Sequence, residues 1–173
     1  MESNIHSQEY KCKQIFKMAE SELTGREQTQ VRMTVLLGII QQLMTTRQNR
    51  FFEGRELTLS QFGVLNHFTH APERSWTVTD LVDVMEMNQP GITKIVTVLI
   101  DKGLLSSTLD QSDKRKRYLK ITPKGLGLCR DTFRSLLPEI SQVFGDWDDH
   151  ALKQFHQHLE KLMRWLDSNR LND

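Results

Sequence analysis

The chain has 173 residues, 38% of them hydrophobic, and a net charge of +1, which suits a domain with a real buried core and a helical appendage. No apolar run approaches the roughly 20 residues that span a bilayer, and the N-terminus lacks the apolar core of a signal peptide. The two cysteines, Cys12 and Cys129, have neither zinc-site nor disulfide-framework spacing. A cytoplasmic protein with no metal and no cofactor is therefore expected.

Residues 1–25 are polar, with a weakly helical patch from Tyr10 to Leu23, and read as an arm or an extra helix. From Glu27 to Phe52 the apolar positions Val31, Val35, Leu36, Ile39, Ile40 and Leu43 recur at steps of three and four, which predicts a long amphipathic helix ended by Gly54. Ser60 is the expected cap of a second helix containing Phe62, Val64, Leu65 and Phe68, closed by Ala71-Pro72. Trp76 to Val78 is β-like, and Thr79-Asp80 is expected to open a third helix with Leu81, Val82, Val84 and Met85. After a tight connection at Glu86 to Asn88, Asn88 caps a fourth helix. Its apolar stripe of Ile92, Ile95, Val96 and Leu99 runs to a stop at Lys102-Gly103.

Two short β-compatible segments follow, from Leu104 to Leu109 and from Tyr118 to Ile121, separated by the turn-formers Asp110-Gln111-Ser112-Asp113. Thr122 and Pro123 suit the cap and first position of the next helix, so the second strand stops there. Between the strands stand Lys114, Arg115, Lys116 and Arg117. From Lys102 to Lys124 there are seven Lys/Arg against two acids, although the whole chain is nearly neutral. Charge concentrated in this way marks a polyanion site better than bulk isoelectric point does. Downstream, a helix from Pro123 to about Phe144 should be kinked or interrupted at Pro138, and Asp148 to Leu166 forms the last helix.

The predicted fold is mainly α with a small β-hairpin: a winged helix-turn-helix over residues 59–122, with a helical dimerisation region formed by residues 26–58 and 123–173. With its apolar stripe turned inward, the fourth helix presents Asn88, Gln89, Pro90, Thr93, Lys94 and Thr97 outward. A major groove is about 12 Å wide and admits one helix, where Gln pairs with adenine, Thr touches a thymine methyl, and Lys reaches guanine or phosphate. The basic hairpin would then reach the adjacent minor groove and its phosphates.

Leu81 to Leu105, then Asp113-Lys114-Arg115 and the run Leu119-Lys120-Ile121-Thr122-Pro123-Lys124-Gly125, resemble the winged-helix core of the MarR (multiple antibiotic resistance regulator) family over roughly residues 30 to 165. The resemblance implies that Arg115 is the minor-groove residue of the wing and that Asp113 buttresses it by an ion pair. It also implies a homodimer carrying two DNA-binding lobes on a pseudo-palindromic site. The surplus of large apolar residues in the last two helices agrees with this, among them Phe133, Leu136, Phe144, Trp147, Phe155, Met163 and Trp165. A repressor released by a small aromatic or anionic ligand is the expected function, because steric blocking of a promoter requires no further contact.

Phe51, Phe62, His67 and Phe68 are candidates for the ligand pocket, although aromatic residues at helical spacing more often form core. Cys12, between Lys11 and Lys13, is the candidate for an alternative redox-sensing mode, whereas Cys129 sits in an apolar stripe as a small hydrophobe. A winged-helix adaptor that binds protein and not DNA is the other alternative. Enzymatic activity has no support, for the chain carries no glycine-rich phosphate loop, nucleophile motif or paired His and carboxylate.

Overall fold

A computed structural model of the protein describes residues 23–113 and 116–170. The expected N-terminal helical patch (Leu23 apart), Cys12, Lys114 and Arg115 lie outside the described residues. In chain order the elements are α1 (Gly25–Phe52), α2 (Leu59–Thr69), α3 (Val78–Met85), α4 (Gln89–Asp101), β1 (Leu105–Leu109), β2 (Arg117–Ile121), α5 (Pro123–Val143) and α6 (Asp149–Ser168). Two compact units divide the chain, Met1–Ser60 and Gln61–Asp173.

In the first unit, α1 begins two residues before the expected Glu27. The Thr24 hydroxyl accepts from Glu27 N–H, and the Glu27 carboxylate accepts from Thr24 N–H at 2.8 Å, a capping box that satisfies donors the helix leaves open. The Thr24 hydroxyl also donates to the Glu27 carboxylate at 2.7 Å, and this bond first, then that from Thr24 N–H, holds the Glu27 carboxyl below its usual range. The helix ends near Gly54, whose φ of +72° is a conformation glycine adopts without strain. Of all residues in α1, only Phe52 is buried, so most of the apolar stripe stands in solvent, with Leu36 and Leu43 more than half exposed.

The second unit carries the core. Val64, Leu65 and Phe68 from α2, Leu81 from α3, Ile92 and Leu99 from α4, Leu104 and Leu119 are all sealed from solvent. Each such side chain stabilises the fold by roughly 1.5–3 kcal/mol through burial, which makes this cluster the dominant source of order. Here α3 packs on α4 and on β2, and α4 packs on β1. The helix boundaries differ slightly from those expected. α2 starts at Leu59, so Ser60 lies inside it, and α3 is capped by Thr77, not by Thr79. The second shift has a clear cause: Asp80 accepts from Thr77 N–H at 2.8 Å while Thr77 Oγ1 accepts from Asp80 N–H at 3.1 Å, a reciprocal pair that fixes the start and, led by the Thr77 N–H bond, holds the Asp80 carboxyl low.

The turn between α3 and α4 uses Glu86 in the left-handed region, φ +51°, and Asn88 then caps α4 by accepting from Gly91 N–H at 2.9 Å. At its other end α4 closes with Gly103 at φ +69°, Gly103 N–H donating to the Ile100 carbonyl and Leu104 N–H to that of Leu99. β1 and β2 pair antiparallel from Leu105 with Ile121 to Leu109 with Arg117, and Trp76 adds a bridge to Leu119 on the outer side of β2. α5 continues through Pro138 without the interruption that was one of the two expected outcomes there. Pro138 and Arg134 are both exposed, so the carbonyl deprived of its partner is accessible to water.

β2 meets α5 at Thr122. Its N–H donates to the Leu104 carbonyl (3.1 Å), its hydroxyl donates to the Gly103 carbonyl (2.8 Å), and the same oxygen accepts from Gly125 N–H (3.0 Å). Gly125 is buried, and a Cβ there would overlap the Leu104 carbonyl oxygen and press on Ile121. Both backbone segments are held by the core, so neither yields cheaply. Gly125→Ala is expected to destabilise the protein by about 1–3 kcal/mol through overpacking, measured as a shift of the urea midpoint, whereas Gly127→Ala, whose Cβ meets nothing within 4 Å, should be neutral or stabilising.

Candidate nucleic-acid interface

The face of α4 is divided by burial. Ile92, Val96 and Leu99 are buried, while Asn88, Gln89, Pro90, Thr93, Lys94 and Thr97 are all exposed, as their spacing requires. Ile95, expected in the stripe, is half-buried. Thr93 Oγ1 donates to the Gln89 carbonyl at 2.8 Å and Thr97 Oγ1 to the Thr93 carbonyl at 2.9 Å. Their hydroxyl protons are thus committed to the helix, leaving a methyl group and an acceptor oxygen to meet a partner.

Beside this face stands the wing. Lys116 and Arg117 are exposed, and Lys116, just before β2, donates its N–H to the Asp113 carbonyl at 2.9 Å. Asp113 is half-buried at the turn. The charge pattern passed over Asp110, whose Oδ1 accepts from Ser112 N–H (2.7 Å), Ser112 Oγ (2.5 Å) and Asp113 N–H (2.9 Å). Those bonds, the Ser112 hydroxyl's first, hold its carboxyl far below the usual range. An aspartate that accepts from N–H groups two and three residues further on is a turn signal, carried here by the run Asp110-Gln111-Ser112-Asp113.

Under the wing, Trp76 is 95% buried and carries the wing on its backbone: Trp76 N–H donates to the Leu119 carbonyl (3.0 Å), and Leu119 N–H to that of Trp76 (2.7 Å). Its indole lies between the Arg74 guanidinium, 3.8 Å from the ring centre, and the His67 imidazole at 4.5 Å. His67 also neighbours His70, with ring centres 6.4 Å apart, so the two histidines three apart do share a face. Trp76 Nε1 and His67 Nε2 are buried with no hydrogen-bond partner among the described residues.

Phe68 is fully buried and Phe62 nearly so, both as core of the second unit, and His67 packs on Trp76. Phe51 belongs to the first unit, edge-on to Phe52 and beneath the Arg55 guanidinium. Cys129 is buried, its thiol 3.6 Å from Asn66 Oδ1, and burial pushes its pKa up, the reverse of what a reactive thiol needs. Among the described residues no cluster of His, Cys, Asp or Glu could hold a metal, and no helix is long and apolar enough to cross a membrane.

Two helices joined by a tight turn, the second with a polar exposed face, followed by a cationic hairpin, define the winged helix-turn-helix class. Residues 56–116 match the family model described as MarR family. The chain is 31% identical over 97 residues to the HTH-type transcriptional regulator PetP of Rhodobacter capsulatus, a match covering 56% of this chain and 58% of PetP. Among solved structures it is similar to the transcriptional regulator BldR of Sulfolobus solfataricus (TM-score 0.65, 20% identity, covering 82% of this chain and 99% of BldR). It is likewise similar to a MarR mutant from E. coli complexed with operator DNA (TM-score 0.64, 19% identity, covering 76% and 94%). Over residues 56–116 the chain is thus similar to the MarR family of DNA-binding winged-helix transcription regulators, and it spans a little over half the length of PetP.

The His67 environment gives a dependence of stability on pH. Burial first, then the nearby His70 and Arg74, lower the His67 pKa from its ordinary 6.5. Between that lowered value and 6.5 the unfolded chain binds the proton more readily than the folded one, so this contribution is intact at neutral pH and is lost as pH falls. Melting temperature is therefore expected to drop on acidification from about pH 7.5 to 5, and His67→Phe, which keeps a ring on Trp76 but cannot titrate, should flatten that part of the curve.

Proposed function

We propose that the protein is a sequence-specific DNA-binding repressor acting in the cytoplasm as a homodimer on a pseudo-palindromic promoter site, and that a small aromatic or anionic ligand releases it. The observation that carries the DNA reading is the exposed polar face of α4 together with the exposed cations of the wing, whose first strand packs on α4, on a chain that is nearly neutral overall. Gln89, Thr93, Lys94 and Thr97 would read base edges. Lys116 and Arg117 would contact phosphates, as would Lys114, and by family resemblance Arg115 would enter the minor groove with Asp113 as its buttress. A relative of the same fold complexed with operator DNA supports this assignment.

Support for the dimer comes from the helices outside the winged core. α6 has no buried residue at all, yet carries Leu159, Leu162, Met163, Trp165 and Leu166 exposed, and α1 exposes Met33, Leu36, Ile40 and Leu43. Soluble monomers rarely leave apolar helix faces of that kind open, and a second copy would cover each of them. The ligand is a matter of resemblance alone.

Wild-type protein should bind its own upstream DNA in a salt-dependent manner in fluorescence anisotropy. Gln89→Ala should lose about 1–3 kcal/mol of discrimination at one base pair, and Lys116→Ala should reduce the salt slope by about one with little change in sequence preference. Absence of salt-dependent binding would favour the protein-interaction adaptor. Trp165→Glu is expected to convert the dimer into a monomer in sedimentation velocity and to weaken operator binding with it, since only a dimer engages both half-sites.

A further inference from the structure

Asp110 stands where charge alone argues against it, an ionised carboxylate in the turn at the tip of a cationic wing. Its three accepted hydrogen bonds from Ser112 and Asp113 gather the outgoing half of the turn. Tyr118, from β2 on the returning half, brings its hydroxyl toward the Asp110 carboxylate, whose influence keeps the phenol protonated to higher pH. The backbone closes the same loop, with Asp110 N–H donating to the Lys116 carbonyl at 3.0 Å and Lys116 N–H to that of Asp113 at 2.9 Å. Lys116 is therefore gripped through both its backbone groups immediately before Arg117 enters the strand.

We infer that Asp110, clasped by Tyr118, is the positioning residue of the wing: it sets the direction in which Lys116 and Arg117 leave the hairpin, so DNA affinity depends on a side chain whose own charge repels DNA. The inference rests on the DNA-binding reading above. Two effects of removing the carboxylate then have opposite signs. Coulomb's law alone makes the wing more cationic and strengthens binding. Loss of the clasp frees a loop whose ordering must then be completed on the DNA, which weakens binding.

The test compares wild type, Asp110→Ala, Asp110→Asn and Tyr118→Phe on the upstream duplex by anisotropy across about 50–300 mM salt, with tryptic cleavage of the wing followed without DNA. Asp110→Ala is expected to weaken binding about tenfold, to lower the salt slope by about one, and to accelerate cleavage after the wing cations. Asp110→Asn, which keeps an acceptor oxygen for the Ser112 and Asp113 N–H groups, should restore most of the affinity. Tyr118→Phe, which changes no charge and serves if the alanine variant fails to fold, should weaken binding about threefold. Equal or tighter binding by Asp110→Ala, with cleavage unchanged, would overturn the inference while leaving the DNA reading intact. If wild type itself does not bind duplex DNA, the DNA reading fails and the positioning role falls with it, even where the cleavage arm still reveals the clasp.

Discussion

The arrangement of the reading surface depends on the hydrogen bonds that meet at Thr122. Its backbone and hydroxyl hold the Gly103 and Leu104 carbonyls, just beyond the end of α4, and its oxygen opens α5 through Gly125 N–H. Lys124 adds a bond from its ammonium to the Lys102 carbonyl at 2.8 Å. The C-terminus of the recognition helix, the first residues of the wing and the start of the next helix are thereby tied within a few residues. Gly125 permits the close approach that this requires. Without that tie, the wing and α4 would be less firmly fixed relative to one another, and the proposed reading of a duplex requires both elements in one register.

The wing is then fixed at two further levels. At its base, Trp76 contributes a short third edge to the hairpin, and its indole is held between Arg74 and His67. At its tip, the Asp110 carboxylate draws the turn together. Both devices order backbone without adding positive charge, and both leave Lys116 and Arg117 exposed. The cost at the base is a pair of buried ring nitrogens without partners among the described residues, which makes this the place where protonation acts against the fold.

Burial is distributed unevenly along the chain, and that unevenness has a physical meaning. The winged core seals residue after residue, whereas α1 buries only Phe52 and α6 buries nothing. Helices of 28 and 20 residues with apolar stripes in water are poorly stabilised by propensity alone. Around the turn to α6, Phe144, Trp147 and Phe155 form a small aromatic cluster, with ring centres 5.9 and 5.2 Å apart, which supports that corner locally. The remaining faces favour association, so in the proposed dimer the stability of these helices and the pairing of subunits are one equilibrium.

Patterns local in sequence were legible from the residues themselves. The stripe in α4, the Asn88 cap, the Gly103 stop, the alternation of β2 and the Thr122-Pro123 helix start all appear where spacing placed them, because each is decided by neighbours within a turn of helix or a strand pair. Boundaries moved where a competing local bond was overlooked, as with the Thr77 and Asp80 capping box and the Thr24 and Glu27 box. At Pro138 the sequence signals a kink or a stop, and whether the helix continues depends on the surroundings of the carbonyl that the proline leaves unpaired, which only the fold sets.

Of the interface, the sequence alone determined which residues are polar on the outward face of α4 and where the cations cluster, since periodicity and charge are properties of the chain. Only the tertiary structure decided that Trp76 should anchor the wing, that Thr122 should lock it to the recognition helix, that Asp110 should gather its tip, and that Phe62 and Phe68 should be core. Each of these rests on hydrogen bonds or packing whose partners are set by the folded chain, in most cases between segments far apart along it, and nothing in the spacing of one segment specifies the atoms it will meet in another.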